Sequence, residues 1–282
     1  VDVSGAKDID QLIGMMKEYA ASVPEGRWVF ATKFQDKNIA EKRFPTREEM
    51  DRVSASHPVM LYHNDTHPFA FNSAGIEIMK LDPAIDGIET DSCGKPTGFV
   101  TDPAFMEVAD NLIDLFSDEE LLEGYGNIDE YAVSNGITTV YTKDYYKILR
   151  LFCDHRDEFK TEIKPMLRTR SCNDSDNLGS LMNDEELRET ACVCAFADGA
   201  FDGYTGSVIE PYEGYPDRFG MLFQSAEELY RYFEEPHKAG MQLSCHAIGD
   251  NGIEQALNVY QRLLENYPRK DHRHRIEHFE MP

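Results

Sequence analysis

Residues 241–279 read MQLSCHAIGDNGIEQALNVYQRLLENYPRKDHRHRIEHF, and their apolar pattern changes period twice. MQLSCHA is a short apolar run of the kind that forms a buried strand. Ile253, Ala256, Leu257, Tyr260 and Leu264 then recur at three- and four-residue intervals, which places them on one face of a helix. RIEHF at 275–279 returns to a strand-like run. Strand, crossover helix and strand make a βαβ unit, whose two strands lie parallel.

Working upstream, the same alternation continues. Ser225 and Glu228 have the spacing of a capping box that opens a helix, and Gly240 closes that helix before MQLSCHA. ACVCAF at 191–196 is a further strand, preceded by a helix near 184–189 and followed by a long Gly/Tyr/Pro loop at 202–220. IKPMLRTR at 163–170 and ITTVYT at 137–142 are strand-like, with a turn of helix near 145–152 between them. Ser117 and Glu120 form a second capping-box pattern, and Asn135-Gly136 ends its helix. Strands alternating with helices predict an α/β fold with a parallel sheet or barrel. About five strands fall short of the eight that close a (β/α)₈ TIM barrel, so a partial barrel is expected.

The amino-terminal part has a different rhythm. Ile9, Leu12, Ile13, Met16 and Ala20 give a helix an apolar face, WVFATKF at 28–34 and HPVMLYHND at 57–65 are strand-like, and GKPTGFV at 94–100 reads as a turn punctuated by Gly and Pro. The expected organisation is a helical lead-in over residues 1–27, an α+β insertion over 28–110, and the partial barrel over 111–282.

Composition bounds the function. Asp and Glu number 52 against 28 Lys and Arg, a formal charge of −24, which repels nucleic-acid phosphates and anionic lipid. The mean hydropathy of −0.51 and 41% hydrophobic residues describe a water-soluble chain with enough apolar matter for a core. No run of residues approaches the length of a membrane span, and no targeting segment is recognised at the first residues. Six cysteines are too few for a disulfide scaffold, and a reducing cytoplasm is the simplest compartment. Expected partners are a small-molecule substrate and a second copy of the chain in a homo-oligomer, without nucleic acid or membrane.

In parallel α/β folds ligands gather beyond the carboxyl ends of the strands, so polar residues that end an apolar strand carry the chemistry. Three do so: Asp198 after CVCAF, His246 in QLSCH and His278 in RIEH. Neutral imidazoles on two consecutive strands suit metal ligation, although each histidine alone is more commonly a hydrogen-bonded structural residue. His63 and His67 fall in a segment with Pro68, better suited to a loop than to a metal-binding helix, and His67 is a candidate for substrate contact. His272 and His274 precede their strand and read as a solvated basic run.

Taken together, HAIGD at 246–250 and RHRIEH ending at His278 resemble the metal-binding half of the amidohydrolase superfamily, and in particular its amidohydrolase 3 group, the YtcJ-like metal-dependent hydrolases. RWVFATKF (27–34), FPTREEMDRVSASHPVMLYHNDTHPFAFNSAG (44–75), GKPTGFV (94–100), NGITTV (135–140) and FADG (196–199) match the same group in order and span nearly the whole chain. The resemblance implies a (β/α)₈ barrel, of which this chain holds about strands 2 to 6, and one or two divalent metals, usually zinc. His246 and His278 match its strand-5 and strand-6 ligands, and His67, Asn72 and Asp198 lie near substrate. The His-x-His pair of strand 1 is expected before Val1 and the catalytic aspartate of strand 8 after Pro282, so the chain is expected to be a piece of a longer protein. Cys194 stands where the group has a lysine able to bridge two metals. It is either a zinc ligand itself or a small buried hydrophobe.

The implied chemistry is hydrolysis of non-peptide carbon–nitrogen bonds, in amides or cyclic imides, by metal-activated water. The chain alone is expected to be inactive. The competing expectation, motivated by Cys194, is a degenerate barrel that binds a ligand or a regulatory partner without turnover.

Overall fold

The computed structural model describes residues 1–64, 68–101, 104–168, 175–201 and 204–282. The chain divides into two compact units, Val1–Phe116 and Ser117–Pro282.

The first unit is built on a mixed five-stranded sheet. Helix α1 (Ile9–Ala20), capped by Asp8, buries Ile9, Leu12, Ile13, Met16 and Ala20. Those residues pack on Val29 and Ala31 of β1 (Val29–Phe34) and on Val59 and Leu61 of β2 (Val59–His63). Helix α2 (Arg47–Asp51) precedes β2, and β3 (Phe69–Phe71), α3 (Ser73–Met79), β4 (Ile88–Thr90), β5 (Pro96–Val100) and α4 (Ala104–Ile113) follow it. The sheet order is β1-β2-β3-β5-β4, parallel only between β1 and β2.

GKPTGFV corrects the expectation of a turn. Only its start turns, with Gly94 at φ +76°, and Pro96–Val100 is a strand. Proline is tolerated there as the strand's first residue. Gly98 adopts φ +90°, and a Cβ at that position would come within 2.4 Å of the Phe71 carbonyl oxygen. The glycine therefore lets two backbones approach, which its sequence context disguised as a loop.

The second unit alternates as the sequence does. Its elements are α5 (Asp118–Ser134), β6 (Thr139–Asp144), α6 (Tyr146–Asp154), β7 (Glu162–Arg168), α7 (Ser175–Asn183), α8 (Glu185–Thr190), β8 (Cys192–Phe196), α9 (Ala226–Lys238), β9 (Gln242–Ala247), α10 (Asp250–Asn266) and β10 (Arg275–His278). Both predicted capping boxes form: Ser117 with Glu120 opens α5, and Ser225 with Glu228 opens α9. Helix α7 was not anticipated from the sequence.

The five strands β6 to β10 lie side by side in chain order, every pair parallel, which makes a half-barrel sheet. Strand alternation separates its two faces. Leu167, Val193, Ala195, Leu243 and Cys245 enter one apolar core with Leu229, Phe233, Ile253, Ala256 and Leu263 of the helices. Burying each such side chain contributes roughly 1.5–3 kcal/mol. The opposite face of β7 to β10 carries Met166, Arg168, Cys192, Cys194, Phe196, Ser244, His246 and Glu277, the positions at which chemistry can be placed.

Candidate active site at the carboxyl ends of the parallel strands

His246 and His278 come together. Register pairs His246 with Phe196 on one side and Glu277 on the other. The two imidazole rings lie with centroids 4.5 Å apart at 69°, and the Phe196 ring is 4.9 Å from that of His246. His246 Nε2 is 3.0 Å from the Gly199 carbonyl oxygen, which can only accept. Nε2 therefore carries the proton and Nδ1 the lone pair. Burial pushes the His246 pKa down to about 4, with the bond to Gly199 opposing it, so the ring is neutral at pH 7. A neutral imidazole whose other nitrogen donates to a backbone carbonyl is the arrangement in which histidines bind metals.

His278 reaches the pair through an unusual backbone. Its φ is +70°, and the Phe279 N–H bonds the Glu277 carbonyl oxygen at 3.0 Å across it. That i→i+2 bond with positive φ at the central residue is the classic form of γ-turn, which is rare and strained. Phe279 N–H also approaches the Ala247 carbonyl oxygen at 3.2 Å, tying the turn to β9.

Asp198 is fully buried and acts on the backbone. Its Oδ1 accepts from Ile248 N–H at 2.9 Å, and its Oδ2 accepts from Ser207 and Gly249 N–H at 2.8 Å each. Burial pushes this carboxyl up while the three amides pull it down. One side chain thus joins the end of β8, the loop after it and the turn between β9 and α10. The glycines of HAIGDNG are explained by the same packing. A Cβ on Gly252 would meet the Asp198 carboxylate at 2.6 Å, and one on Gly249 would meet the Ser207 carbonyl oxygen at 2.0 Å. Asp250 adds a bond from Ile209 N–H at 2.9 Å. Asp198, expected near substrate, lies with Oδ1 3.9 Å from His246 Nε2 and holds the backbone of the segments around it.

The other expected residues are placed differently. Cys194 is fully buried beside Met166 and Cys192, and burial pushes its thiol up, so it sits there as a neutral side chain rather than a thiolate. Asn72 is an interior cap: Oδ1 accepts from Val59 and Gly75 N–H at 2.9 Å each, and Nδ2 donates to His57 and Ser54 carbonyl oxygens. Those four bonds use its hydrogen-bonding capacity. His67 lies outside the described residues. Among the described residues no group of three or more His, Cys, Asp or Glu could hold a metal ion. The imidazole pair fits a divalent metal in donor type and supplies two donors, fewer than a complete shell.

Tyr204 meets Tyr212 edge-on at a centroid separation of 5.3 Å and Tyr215 at a tilt at 4.9 Å, and Arg218 lies over Tyr204 and Tyr215. The loop packs on itself. The expectation of a solvated run at His272 and His274 is overturned. His274 accepts from Leu243 N–H at 3.1 Å through Nδ1, and its Nε2 is 2.8 Å from His237 Nδ1. His237 Nε2 in turn donates to the Tyr267 carbonyl oxygen at 2.8 Å. The missed partner was His237, 37 residues upstream in α9, and no spacing rule connects the two.

Sequence reasoning also missed the charges facing the half-barrel. Glu277 accepts from Arg275 Nε and Ser244 Oγ, each at 2.5 Å. Burial pushes its carboxyl up, but those bonds and the guanidinium charge outweigh it and hold the pKa at about 2. Lys143 Nζ and Arg168 Cζ each lie 5.6 Å from the centroid of the Phe196 ring. Strand alternation could have placed both on the histidine face, because their strands read cleanly.

Sheet, crossover helices and paired histidines define an α/β half-barrel with an imidazole pair at the carboxyl ends of its strands, and comparison with known proteins gives the family. The chain matches the amidohydrolase family, of the amidohydrolase 3 type, over residues 1–281 and belongs to it. It is 25% identical over 288 residues to the putative amidohydrolase YtcJ of Bacillus subtilis, covering 97% of this chain and 53% of that protein. It is 26% identical over 307 residues to Protein LONG AFTER FAR-RED 3 of Arabidopsis thaliana, covering 99% and 51% respectively. The chain thus spans about half the length of the curated relatives it matches. Its fold superimposes on the crystal structure of an uncharacterized metal-dependent hydrolase from Pyrococcus horikoshii with a TM-score of 0.74 at 22% identity, covering 93% of this chain and 52% of that one.

Proposed function

We propose that this chain is the central part of a metal-dependent hydrolase of non-peptide carbon–nitrogen bonds, acting on amides or cyclic imides. The observation that carries the reading is the imidazole pair, two rings with centroids 4.5 Å apart at the carboxyl ends of adjacent parallel strands, in a chain of the amidohydrolase family. In this reading β6 to β10 are strands 2 to 6 of a TIM barrel, and the first unit is the insertion between its first strands.

His246 and His278 would hold a divalent ion, with zinc the best match to imidazole donors and the remaining ligands contributed from outside residues 1–282. Such an ion, when bound, lowers the pKa of a water and polarises the scissile carbonyl. The chain's own residues do the rest of the positioning. The Gly199 carbonyl oxygen fixes the His246 tautomer, and Asp198 fixes the segment that carries Gly199 by holding Ser207, Ile248 and Gly249. Asp198 is spent on those amides and is not the proton shuttle, a role assigned to a carboxylate outside this chain. The expected outcome for the longer protein is stoichiometric zinc and amide hydrolysis, with His246→Asn and His278→Asn each losing both. Full hydrolysis by either variant, or a metal-free and inactive wild type, would refute the proposal, and the latter result would favour a ligand-binding barrel without turnover.

A further inference from the structure

The first unit holds a cleft of about 490 Å³ lined by the start of α2 and by the β4–β5 hairpin. That volume falls within the roughly 300–1,000 Å³ of small-molecule sites. Its apolar lining is aromatic: Phe44, Phe71 and Phe99. Phe44 meets Phe99 edge-on, with centroids 4.9 Å apart at 63°, and packs against Phe34 at 4.8 Å. Phe71 is buried, whereas Phe44 and Phe99 are half-buried, so ring surface is left for a ligand.

Three carboxylates, Glu48, Glu89 and Asp91, line the same cleft with a single cation, Arg47. Arg47 is already engaged. One of its terminal nitrogens lies 3.0 Å from Glu48 Oε1 and the other donates to the Pro96 carbonyl oxygen at 3.2 Å. Glu89 and Asp91 have neutral partners instead. Glu89 Oε2 accepts from Thr97 Oγ1 at 2.6 Å, and Asp91 Oδ1 accepts from Cys93 and Lys95 N–H at 2.8 and 3.0 Å. Among the described residues neither carboxylate is in an ion pair, and Arg47 and Lys95 act on Asp91 only through space. These bonds fix both carboxylates and leave each with an oxygen able to accept more. Anionic oxygens attract a cation, and aromatic rings both cover a hydrocarbon body and attract positive charge through their quadrupole. An anion meets only repulsion there.

We propose that this cleft binds an organic ammonium, a protonated amine carried on an aromatic or branched apolar body. Glu89 and Asp91 take the ammonium, and Phe44 and Phe99 cover the apolar part. The site lies wholly within the first unit and does not rest on the hydrolase reading. The full chain is titrated at neutral pH with 2-phenylethylamine, which is protonated, with its uncharged counterpart 2-phenylethanol, and with methylamine, and binding is followed by NMR. Charge-assisted hydrogen bonds predict that 2-phenylethylamine binds about tenfold tighter than the alcohol. Methylamine, which has the charge without the body, should bind more weakly than 2-phenylethylamine. The double variant Glu89→Gln with Asp91→Asn keeps the acceptors for Thr97, Cys93 and Lys95 and should abolish the preference for charge. Glu213→Gln with Glu254→Gln removes the same charge from exposed positions of the second unit and should leave the preference intact. Equal binding of amine and alcohol, no binding of either, or an undiminished preference in the cleft variant would overturn the site. So would a preference lost equally in the second-unit variant, since the attraction would then belong to the chain's overall charge of −24. If circular dichroism shows the cleft variant to be misfolded, the three-ligand comparison on the unmodified chain decides.

Discussion

His237 and His274 show how a pair of side chains can fix its own protonation. Leu243 N–H occupies Nδ1 of His274, so His274 must donate through Nε2 to His237, which in turn donates to Tyr267. Adding a proton to either ring leaves two donors facing each other. Burial, with the nearby charges of His272, His237 and Arg269, pushes His274 down to about 3 from an ordinary 6.5, and burial lowers His237 as well. The unfolded chain therefore binds these protons first as pH falls, so the stabilisation is complete above pH 6.5 and is lost as the pH drops toward 3. His246 adds to the same window. Urea unfolding should show stability falling below pH 6.5 by up to about 1.4 kcal/mol per pH unit for each histidine. Flat midpoints between pH 7.5 and 5 would contradict it.

Among the elements, α5 and α9 were the most legible because their first turns state where they begin. In α9 the Ser225 hydroxyl receives Glu228 N–H at 3.2 Å while the Glu228 carboxylate receives Ser225 N–H at 2.8 Å. Ser225→Ala should cost about 1 kcal/mol of unfolding free energy, measured by chemical denaturation. A loss below a few tenths of a kcal/mol would mean that α9 is held by its buried face alone. Strands β6 to β10 were legible for a related reason: each is an apolar run between helices, so its ending residue could be named. That logic found His246, His278 and Asp198. It could not assign Asp198 its role, because three backbone amides from distant segments converge on it only in the folded chain. His274 was misread as well, since a member of a histidine chain looks like any polar residue until its partners are known. Lys143 and Arg168 stood at positions of the right parity, but parity does not reveal that both reach the same aromatic ring, Phe196.

At the scale of the molecule, the parallel sheet ends at β6 and β10, each hydrogen-bonded within it to one strand neighbour among the described residues. Unpaired strand edges are templates for further pairing. Tyr141 on β6 is 51% exposed, and Ile128 and Tyr131 on α5 are 58% and 71% exposed, so apolar surface accompanies that edge. The isolated chain should self-associate with concentration, as measured by light scattering. A monodisperse monomer at high concentration would show that these edges are shielded.

The γ-turn at His278 carries a cost of its own. A side chain at φ +70° is tolerated at an expense that glycine or asparagine would largely avoid. Selection for heat resistance alone should therefore replace this imidazole, and His278→Gly is expected to raise the melting temperature while stripping one nitrogen from the pair. A histidine retained under such selection would instead mean that its ring is anchored by contacts unrelated to catalysis. On this view the turn is a toll on durability levied by the reaction.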